Sequence, residues 1–333
     1  MKAAKTFPAL LEAFFTNWLM KDRQVSSNTI ASYRDTFRLL LRYLKEHFNK
    51  CPSNITMQDL SASVIINFLH YLEKQRGNKP RSRNIRLAAI KSFFHYVAFE
   101  EPAHAELIQH VLAVPSKRWH RRLVSFLSPW ETDALIKAID KRSKAGRRDY
   151  ALLLLAPQTG LRVSELIGLK FKDVVFGKGV YLHCQGKGRK ERCVPLSKST
   201  AAVLRNWMKE RNGSNPDDPI FTNARGHILS RDGVAYILKK YAMLAGKTCP
   251  SLRTKRVSPH VLRHTNAVNL LRAGVDQATI ALWLGHESVD TTQIYLHADI
   301  EYKEKILSKF AGGKAMPIKF RPDDQLLAFL NSL

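Results

Sequence analysis

The chain has 333 residues, with 54 Lys and Arg against 28 Asp and Glu, for a net charge of +26. Its 45% hydrophobic content supplies packed cores and excludes wholesale disorder, and its length suits about two domains of the usual size. No apolar run approaches the roughly 20 residues of a membrane helix, and four cysteines without CxxC spacing do not make a disulfide scaffold.

The opening Met1-Lys2-Ala3-Ala4-Lys5 runs into an amphipathic segment, not an apolar signal core, so a soluble, reducing, cytoplasmic setting is expected. Leu10, Leu11, Phe14, Phe15, Trp18 and Leu19 place one apolar stripe on a first helix. Ser26-Ser27-Asn28 caps a second, which carries Ile30, Tyr33, Phe37, Leu40, Leu41, Leu44 and Phe48. Val64, Ile65, Phe68, Leu69 and Leu72 mark a third, stopped by Gly77-Asn78-Lys79-Pro80, and a fourth runs from about Ser82 through Val97. Four amphipathic helices with short polar connections predict a small helical bundle whose aromatic stripes form its core.

Pro115-Ser116-Lys117-Arg118-Trp119-His120-Arg121-Arg122 has no apolar periodicity and reads as a basic, flexible crossing. Ser128-Pro129-Trp130-Glu131 then opens a second domain, with Ser at the N-cap, Pro at the first helical position and Glu at N3. Short strands are expected at Val174 to Phe176, Val180 to Cys184 and Cys193 to Leu196, the last two joined by a hairpin turn over 186–190. After about Ser199 the spacing is helical again.

Both parts are basic: residues 1–120 carry a net +9 and residues 121–333 a net +17. Charge of one sign over two folded domains points to a polyanion, most simply a nucleic acid, with Lys117, Arg118, Arg121, Arg122, Arg189 and Lys190 as candidate phosphate contacts.

Four stretches stand out: Thr159-Gly160-Leu161-Arg162-Val163-Ser164-Glu165-Leu166; the turn holding Lys187; Ser258-Pro259-His260-Val261-Leu262-Arg263-His264; and Leu284-Gly285-His286-Glu287-Ser288 with Tyr295 nine residues after His286. Taken singly each has an ordinary reading. Arg162 and Glu165 make a helix-surface ion pair, Lys187 is a solvated turn residue, and Tyr295 is a half-buried core residue. His260 and His264, with His286 downstream, also have zinc-ligand spacing. Against zinc, Val261 stands where the metalloprotease pattern needs Glu, and Arg263 sets a cation on the same face. That face suits an anion better, so no metal is expected. Gly186-Lys187-Gly188 is too short for a nucleotide-binding loop, so no cofactor is expected either.

Together, in order and spacing, TGLRVSEL, GKGRKERCVPL, HVLRHTNA and LGHESVDTTQIYLH resemble the blocks of the tyrosine recombinase (phage integrase) family. The resemblance implies a mainly α fold: an N-terminal helical bundle of SAM-like type plus a mixed α+β catalytic domain with a small three-stranded antiparallel sheet. It implies a core-DNA-binding domain over 1–114, a basic linker over 115–124, a catalytic domain over 125–311 and a tail over 312–333. A helix in that tail, capped at Asp323, would dock on a neighbouring protomer. Residue by residue, it makes Tyr295 the nucleophile that forms a 3′-phosphotyrosine. Arg162 and Arg263 become the braces of the non-bridging oxygens and Lys187 the acid for the leaving 5′-oxygen. His260 becomes the acid/base partner of the tyrosine and His286 a phosphate donor, with Glu165 and His264 in support. Arg189 and Lys190 compete with Lys187 for its place.

The partner implied is double-stranded DNA, held by a homo-oligomer that is a dimer on one site and a tetramer in synapsis, with sister recombinases as further partners. The expected function is integration, excision or transposition of a mobile element. The rivals are strand swivelling of the type IB topoisomerase kind and a DNA-binding regulator whose active site has decayed; the six filled catalytic positions argue against decay. Two departures from the family pattern stand in the sequence. Pro157-Gln158 precedes Thr159, which would shift the helix end near Arg162, and the acidic Glu287 follows His286.

Overall fold

The structure is a computed structural model that describes residues 5–119, 124–186, 191–213 and 215–285. It divides into two units, Met1–Arg121 and Arg122–Leu333.

In the first unit, Pro8 starts α1 (Phe7–Ala13), and Ser26 caps α2 (Ser27–Phe48) by accepting from the Thr29 N–H at 3.3 Å. Ser61 caps α3 (Ala62–Lys74), and Pro80 starts α4 (Pro80–Glu100). The first predicted helix is not one regular α-helix. After Ala13 the chain widens into a π-helical segment, Phe14–Asp22, where the Arg23 N–H reaches back five residues to the Trp18 carbonyl at 2.9 Å. The wider turn brings Phe14 and Leu19, five apart, into the core together.

A further helix, α5 (Ala105–Ala113), adds to the four expected, burying Ile108 and Val111 against α3 and α4. The short break at Glu101-Pro102 conceals it, because nine residues are too few for a persuasive period. The aromatic stripes are core, as expected. Phe93 of α4 is fully buried and meets Phe7, Phe14 and Phe37 edge-on, with ring centroids 5.8, 5.5 and 5.4 Å away.

The second unit begins with the predicted capping box. Ser128 Oγ accepts from the Glu131 N–H, and the Glu131 carboxylate accepts from the Ser128 N–H, opening α6 (Pro129–Lys137). Glu131 is buried and also takes Ser251 Oγ and Lys255 Nζ at 2.6 and 2.7 Å, which ties α6 to the segment before the site. The central helix is α7 (Lys144–Thr159), and it continues through Pro157. The helix end is therefore at Gly160, so Pro157-Gln158 does not move it away from Arg162. A short α8 (Val163–Ile167) follows.

Next come β1 (Val174–Val175), β2 (Tyr181–Gln185) and β3 (Glu191–Pro195), a three-stranded antiparallel sheet in the order β1-β2-β3 with Leu182 opposite Val194. The strands lie within a residue or two of their predicted bounds. Then α9 (Lys198–Arg211), α10 (Arg231–Ala245), α11 (Ser251–Thr254), α12 (Pro259–Arg272) and α13 (Gln277–Leu284) complete the described chain. Helices α9 and α12 pack on α7, and α13 packs on α12 and β3.

Among the described residues no helix is long and apolar enough to cross a membrane. The four cysteines are free thiols, Cys184 and Cys249 buried and Cys51 and Cys193 exposed.

Because Phe93 has no exposed surface and four aromatic neighbours, Phe93→Ala is expected to cost about 3–5 kcal/mol through lost burial and a residual cavity. Urea unfolding of the full chain, followed by a probe in the N-terminal unit, would show a lower midpoint at unchanged slope. A loss under about 1 kcal/mol would mean that the aromatic cluster repacks around the gap.

Candidate active site

The last carbonyls of a helix lack partners within it and carry the negative end of its dipole. At the end of α13, three consecutive ones are each taken by a different arginine. Arg192 Nε donates to the Trp283 carbonyl at 3.0 Å, Arg263 Nη2 to the Leu284 carbonyl at 2.7 Å and Arg162 Nη2 to the Gly285 carbonyl at 2.8 Å. These arginines come from β3, from α12 and from the N-cap of α8. Gly285 leaves the helix in the left-handed conformation, φ +65°, and a Cβ there would stand 2.9 Å from Arg192 Nη1. Glycine is favoured at 285 on both counts.

Arg162 and Glu165 are not the surface pair that their spacing alone suggests. The Glu165 side chain is 6% exposed, and its carboxylate accepts four hydrogen bonds. Oε2 takes the Arg162 backbone N–H at 2.9 Å and Arg192 Nη2 at 2.7 Å; Oε1 takes Arg162 Nη1 at 2.9 Å and Arg192 Nη1 at 3.3 Å. Burial by itself would raise the Glu165 pKa. The Arg192 and Arg162 donors outweigh it and hold the carboxyl below the ordinary glutamate value.

The second strut crosses from α12 to the end of α7. Arg263, 5% exposed, donates through Nη1 to the Gly160 carbonyl at 2.7 Å. Asn266, one turn on, donates to the Gln158 carbonyl at 2.6 Å, and Trp283 Nε1 to the Thr159 carbonyl at 3.1 Å. The end of α7 is thus capped by side chains just as the end of α13 is. Gly160 also takes the left-handed conformation, φ +65°, with the Asn266 Oδ1 2.6 Å from where a Cβ would lie.

Ser258 caps α12, accepting from the Val261 N–H at 3.4 Å, and Pro259 opens it. In its first turns His260 is exposed, Arg263 points inward and His264 is half-buried. Of the predicted site residues, the structure brings Arg162, Glu165 and Arg263 into one network, with His260 and His264 on the helix that carries Arg263. Lys187, Arg189, Lys190, His286, Tyr295, Arg121 and Arg122 lie outside the described residues.

In the N-terminal unit, Lys117 pairs with Glu73 at 2.7 Å and exchanges backbone hydrogen bonds with the Asn84 side chain at 2.8 and 3.0 Å. Arg83 donates to the Pro115 carbonyl at 3.0 Å, and Arg81 lies 5.4 Å from the Trp119 ring. The segment 115–119, read from sequence as flexible, is fastened to α4; Arg118 within it is exposed. Among the described residues no group of three His, Cys, Asp or Glu comes together that could hold a metal. His286, the third histidine of the zinc alternative, lies outside them.

Sequence reasoning missed Arg192, Asn266 and Trp283. Arg192 carried a readable signal, since it sits two residues from buried Val194 on the same face of β3. A charge pointing inward from a strand needs a buried partner.

Residues 125–301 match the model of the phage integrase family, and residues 13–101 that of the phage integrase N-terminal SAM-like domain. The chain is 54% identical over 324 residues to the putative integrase/recombinase y4rC of Sinorhizobium fredii (strain NBRC 101917 / NGR234), covering 97% of each. It is 34% identical over 292 residues to the tyrosine recombinase XerD of Oceanobacillus iheyensis, covering 86% of this chain and 93% of XerD. Its fold resembles that of the XerH site-specific recombinase bound to palindromic difH substrate in a post-cleavage complex. The TM-score there is 0.69 at 23% identity, over 86% of this chain and 81% of XerH. The chain belongs to the phage integrase family, the tyrosine recombinases.

His264 is pushed down to about 4, first by burial and then by His260 and Arg263 nearby. Between that value and the ordinary 6.5 the unfolded chain binds a proton that the folded one refuses. This contribution to stability is full above about 6.5, falls as the pH drops toward about 4, and is flat below. An NMR titration of the His264 ring is expected to show a midpoint near 4; one near 6.5 would mean the ring is solvated.

Proposed function

We propose that the protein cleaves and rejoins duplex DNA at a specific site, integrating, excising or transposing a mobile element. The observation that carries this reading is the placing of two guanidiniums, Arg162 and Arg263, on adjacent carbonyls of one helix end. A phosphodiester in attack gains negative charge on its non-bridging oxygens, and ordered guanidiniums stabilise that charge without reorganising. Arg162, whose side chain is 28% exposed, offers the accessible cation, and Arg263 beneath it is held rigid.

In this reading the Tyr295 hydroxyl attacks phosphorus and passes its proton to His260. A new O–P bond forms as the bond to the 5′-oxygen breaks, and Lys187 supplies that oxygen with a proton. His286 donates to the phosphate. The phosphotyrosine retains the bond energy, so a 5′-hydroxyl attacking in reverse reseals the strand without a nucleotide. A tyrosine with an ordinary pKa near 10 is mostly protonated at neutral pH, and the cations around it supply the field it needs.

The organisation proposed is a core-DNA-binding domain over 1–114, a linker over 115–124, a catalytic domain over 125–311 and a tail over 312–333 whose helix docks on a neighbouring protomer. Double-stranded DNA is the partner, gripped by a dimer on one site and a tetramer in synapsis, with sister recombinases as further partners, in the cytoplasm. Lys117 and Arg118, with Arg121, Arg122, Arg189 and Lys190, follow phosphates, with Lys117 leaving or sharing its Glu73 partner to do so.

Two outcomes are expected. Tyr295→Phe binds DNA but yields no covalent adduct on duplex DNA in denaturing electrophoresis; an adduct that persists would remove Tyr295 as nucleophile. Lys187→Ala cleaves ordinary DNA about 10²–10⁴-fold more slowly and recovers most of that on a 5′-bridging phosphorothiolate, whose sulfur leaves without a proton. Arg162→Ala stays slow on both substrates. Rescue of Lys190→Ala in place of Lys187→Ala would move the acid along the turn.

A further inference from the structure

The Glu165 carboxylate sits against Arg162, and a lone buried pair of opposite charges presents no net charge to an incoming anion. Arg192 changes that balance. Its guanidinium lies in parallel against the same carboxylate, Nη2 to Oε2 at 2.7 Å and Nη1 to Oε1 at 3.3 Å, while its Nε is fixed on the Trp283 carbonyl. Arg192, Glu165 and Arg162 together carry +1. The Arg192 side chain is 11% exposed and the Glu165 side chain 6%, whereas that of Arg162 is 28% exposed. The excess charge is therefore nearest to solvent on Arg162.

We infer that Arg192 is a positioning residue for strand cleavage: it neutralises Glu165 and so leaves the Arg162 cation available to the scissile phosphate. Arg192 touches neither substrate nor reacting atoms in this scheme. It acts through Glu165, and its role so rests on the one proposed above for Arg162.

Without Arg192, Glu165 draws Arg162 into a neutral pair. The loss falls on the transition state, where phosphate charge is greatest, and not on DNA binding, which many other cations supply. Outer-shell partners that orient ligands of a reactive centre typically contribute 10–100-fold, and the same scale is expected here. Lysine at 192 keeps the charge but not the fork that spans both carboxylate oxygens, so it restores part of the rate.

The test uses the full-length chain and a duplex carrying its recombination site, with the wild type as reference. Arg192→Gln should lower the single-turnover rate of covalent-adduct formation about 10–100-fold while the DNA concentration for half-saturation stays within about twofold. Arg192→Lys should recover part of the rate. The 5′-bridging phosphorothiolate should not restore Arg192→Gln, since the defect lies in charge stabilisation; restoration would place the effect on the turn that carries Lys187 and overturn the inference.

Arg192→Gln leaves a buried carboxylate with one partner fewer and can fail to fold. The double variant Glu165→Gln with Arg192→Gln removes charge and partner together. If Arg192 acts through Glu165, the double variant cleaves no more slowly than Arg192→Gln, or than Glu165→Gln where that single variant alone folds; a multiplicative loss over Glu165→Gln overturns the proposal. An unchanged rate in Arg192→Gln also overturns it. The failure of the wild type itself to form an adduct on any duplex would instead remove the function proposed above.

Discussion

A row of three carbonyls at the end of one short helix organises the catalytic unit. Each of Trp283, Leu284 and Gly285 accepts from an arginine, and the three arginines are drawn from segments more than 90 residues apart in sequence at the widest. Left bare, the buried Leu284 carbonyl would be an acceptor without a partner, a cost of about 1–3 kcal/mol, and the partly exposed Trp283 and Gly285 carbonyls would be open to water alone. Guanidiniums are the side chains that fit. They stay charged at any working pH, and their planar fork allows one group to bind a carbonyl on one side and a carboxylate on the other. Arg192 and Arg162 both do this, with Glu165 as the shared carboxylate. A lysine offers three donors on one point charge, as Lys255 does to Glu131 and the Phe126 carbonyl, but not the planar fork that spans both oxygens of a carboxylate.

Much of this was legible before any coordinates. Polar N-caps followed by proline gave away the starts of α6 and α12, because a helix start needs acceptors for its first N–H groups and tolerates proline there. Short apolar runs at 174–176, 180–184 and 193–196, with a Gly-Lys-Gly turn between the last two, marked the sheet. Arg162, Arg263 and Glu165 were readable as a set through a resemblance of motifs, yet their spacing suggested only a solvated ion pair for two of them. Burial is what makes that pair different, and burial is decided by α13 and β3, elements distant in sequence. Arg192 escaped notice for the same reason: its partners lie 27 and 91 residues away. The π-helical segment over Phe14–Asp22 also follows from tertiary packing, since an amphipathic stripe at α spacing fits those residues equally well.

The basic segment after α5 shows how charge in a sequence can be read correctly in sign and incompletely in state. Five potentially cationic groups in eight residues suit a polyanion, and nothing in that composition announces order. The order comes from α4: Arg83 and Asn84 hydrogen-bond to Pro115 and Lys117, and the Arg81 cation lies over the Trp119 ring. In the proposed organisation, where 115–124 joins the two domains and follows phosphates, ordering 115–119 in advance lowers the entropy still to be lost on binding by about 1–2 kcal/mol per residue already fixed. Lys117 meanwhile has a carboxylate partner in Glu73, so any phosphate it meets must displace that partner or share the ammonium with it.

The same groups that stabilise the catalytic unit are those the proposed reaction uses, and this sets a constraint on how the site can vary. Arg263 closes the end of α7 through Gly160 and the end of α13 through Leu284. Its replacement would open two helix ends, and in the proposed reaction would also remove a phosphate ligand, so that any loss of activity there would come with a loss of stability. Arg162 is different. It caps its own helix through the Glu165 carboxylate and reaches one carbonyl, but it remains the most exposed of the three. A network in which the buried members satisfy the backbone and the outermost member faces solvent holds its cation at a fixed place without burying it. Under the proposed reaction, this is the reason that three arginines and a glutamate of a +26 protein meet at one helix end. Gripping needs only charge, whereas stabilising a transition state needs charge at a fixed position.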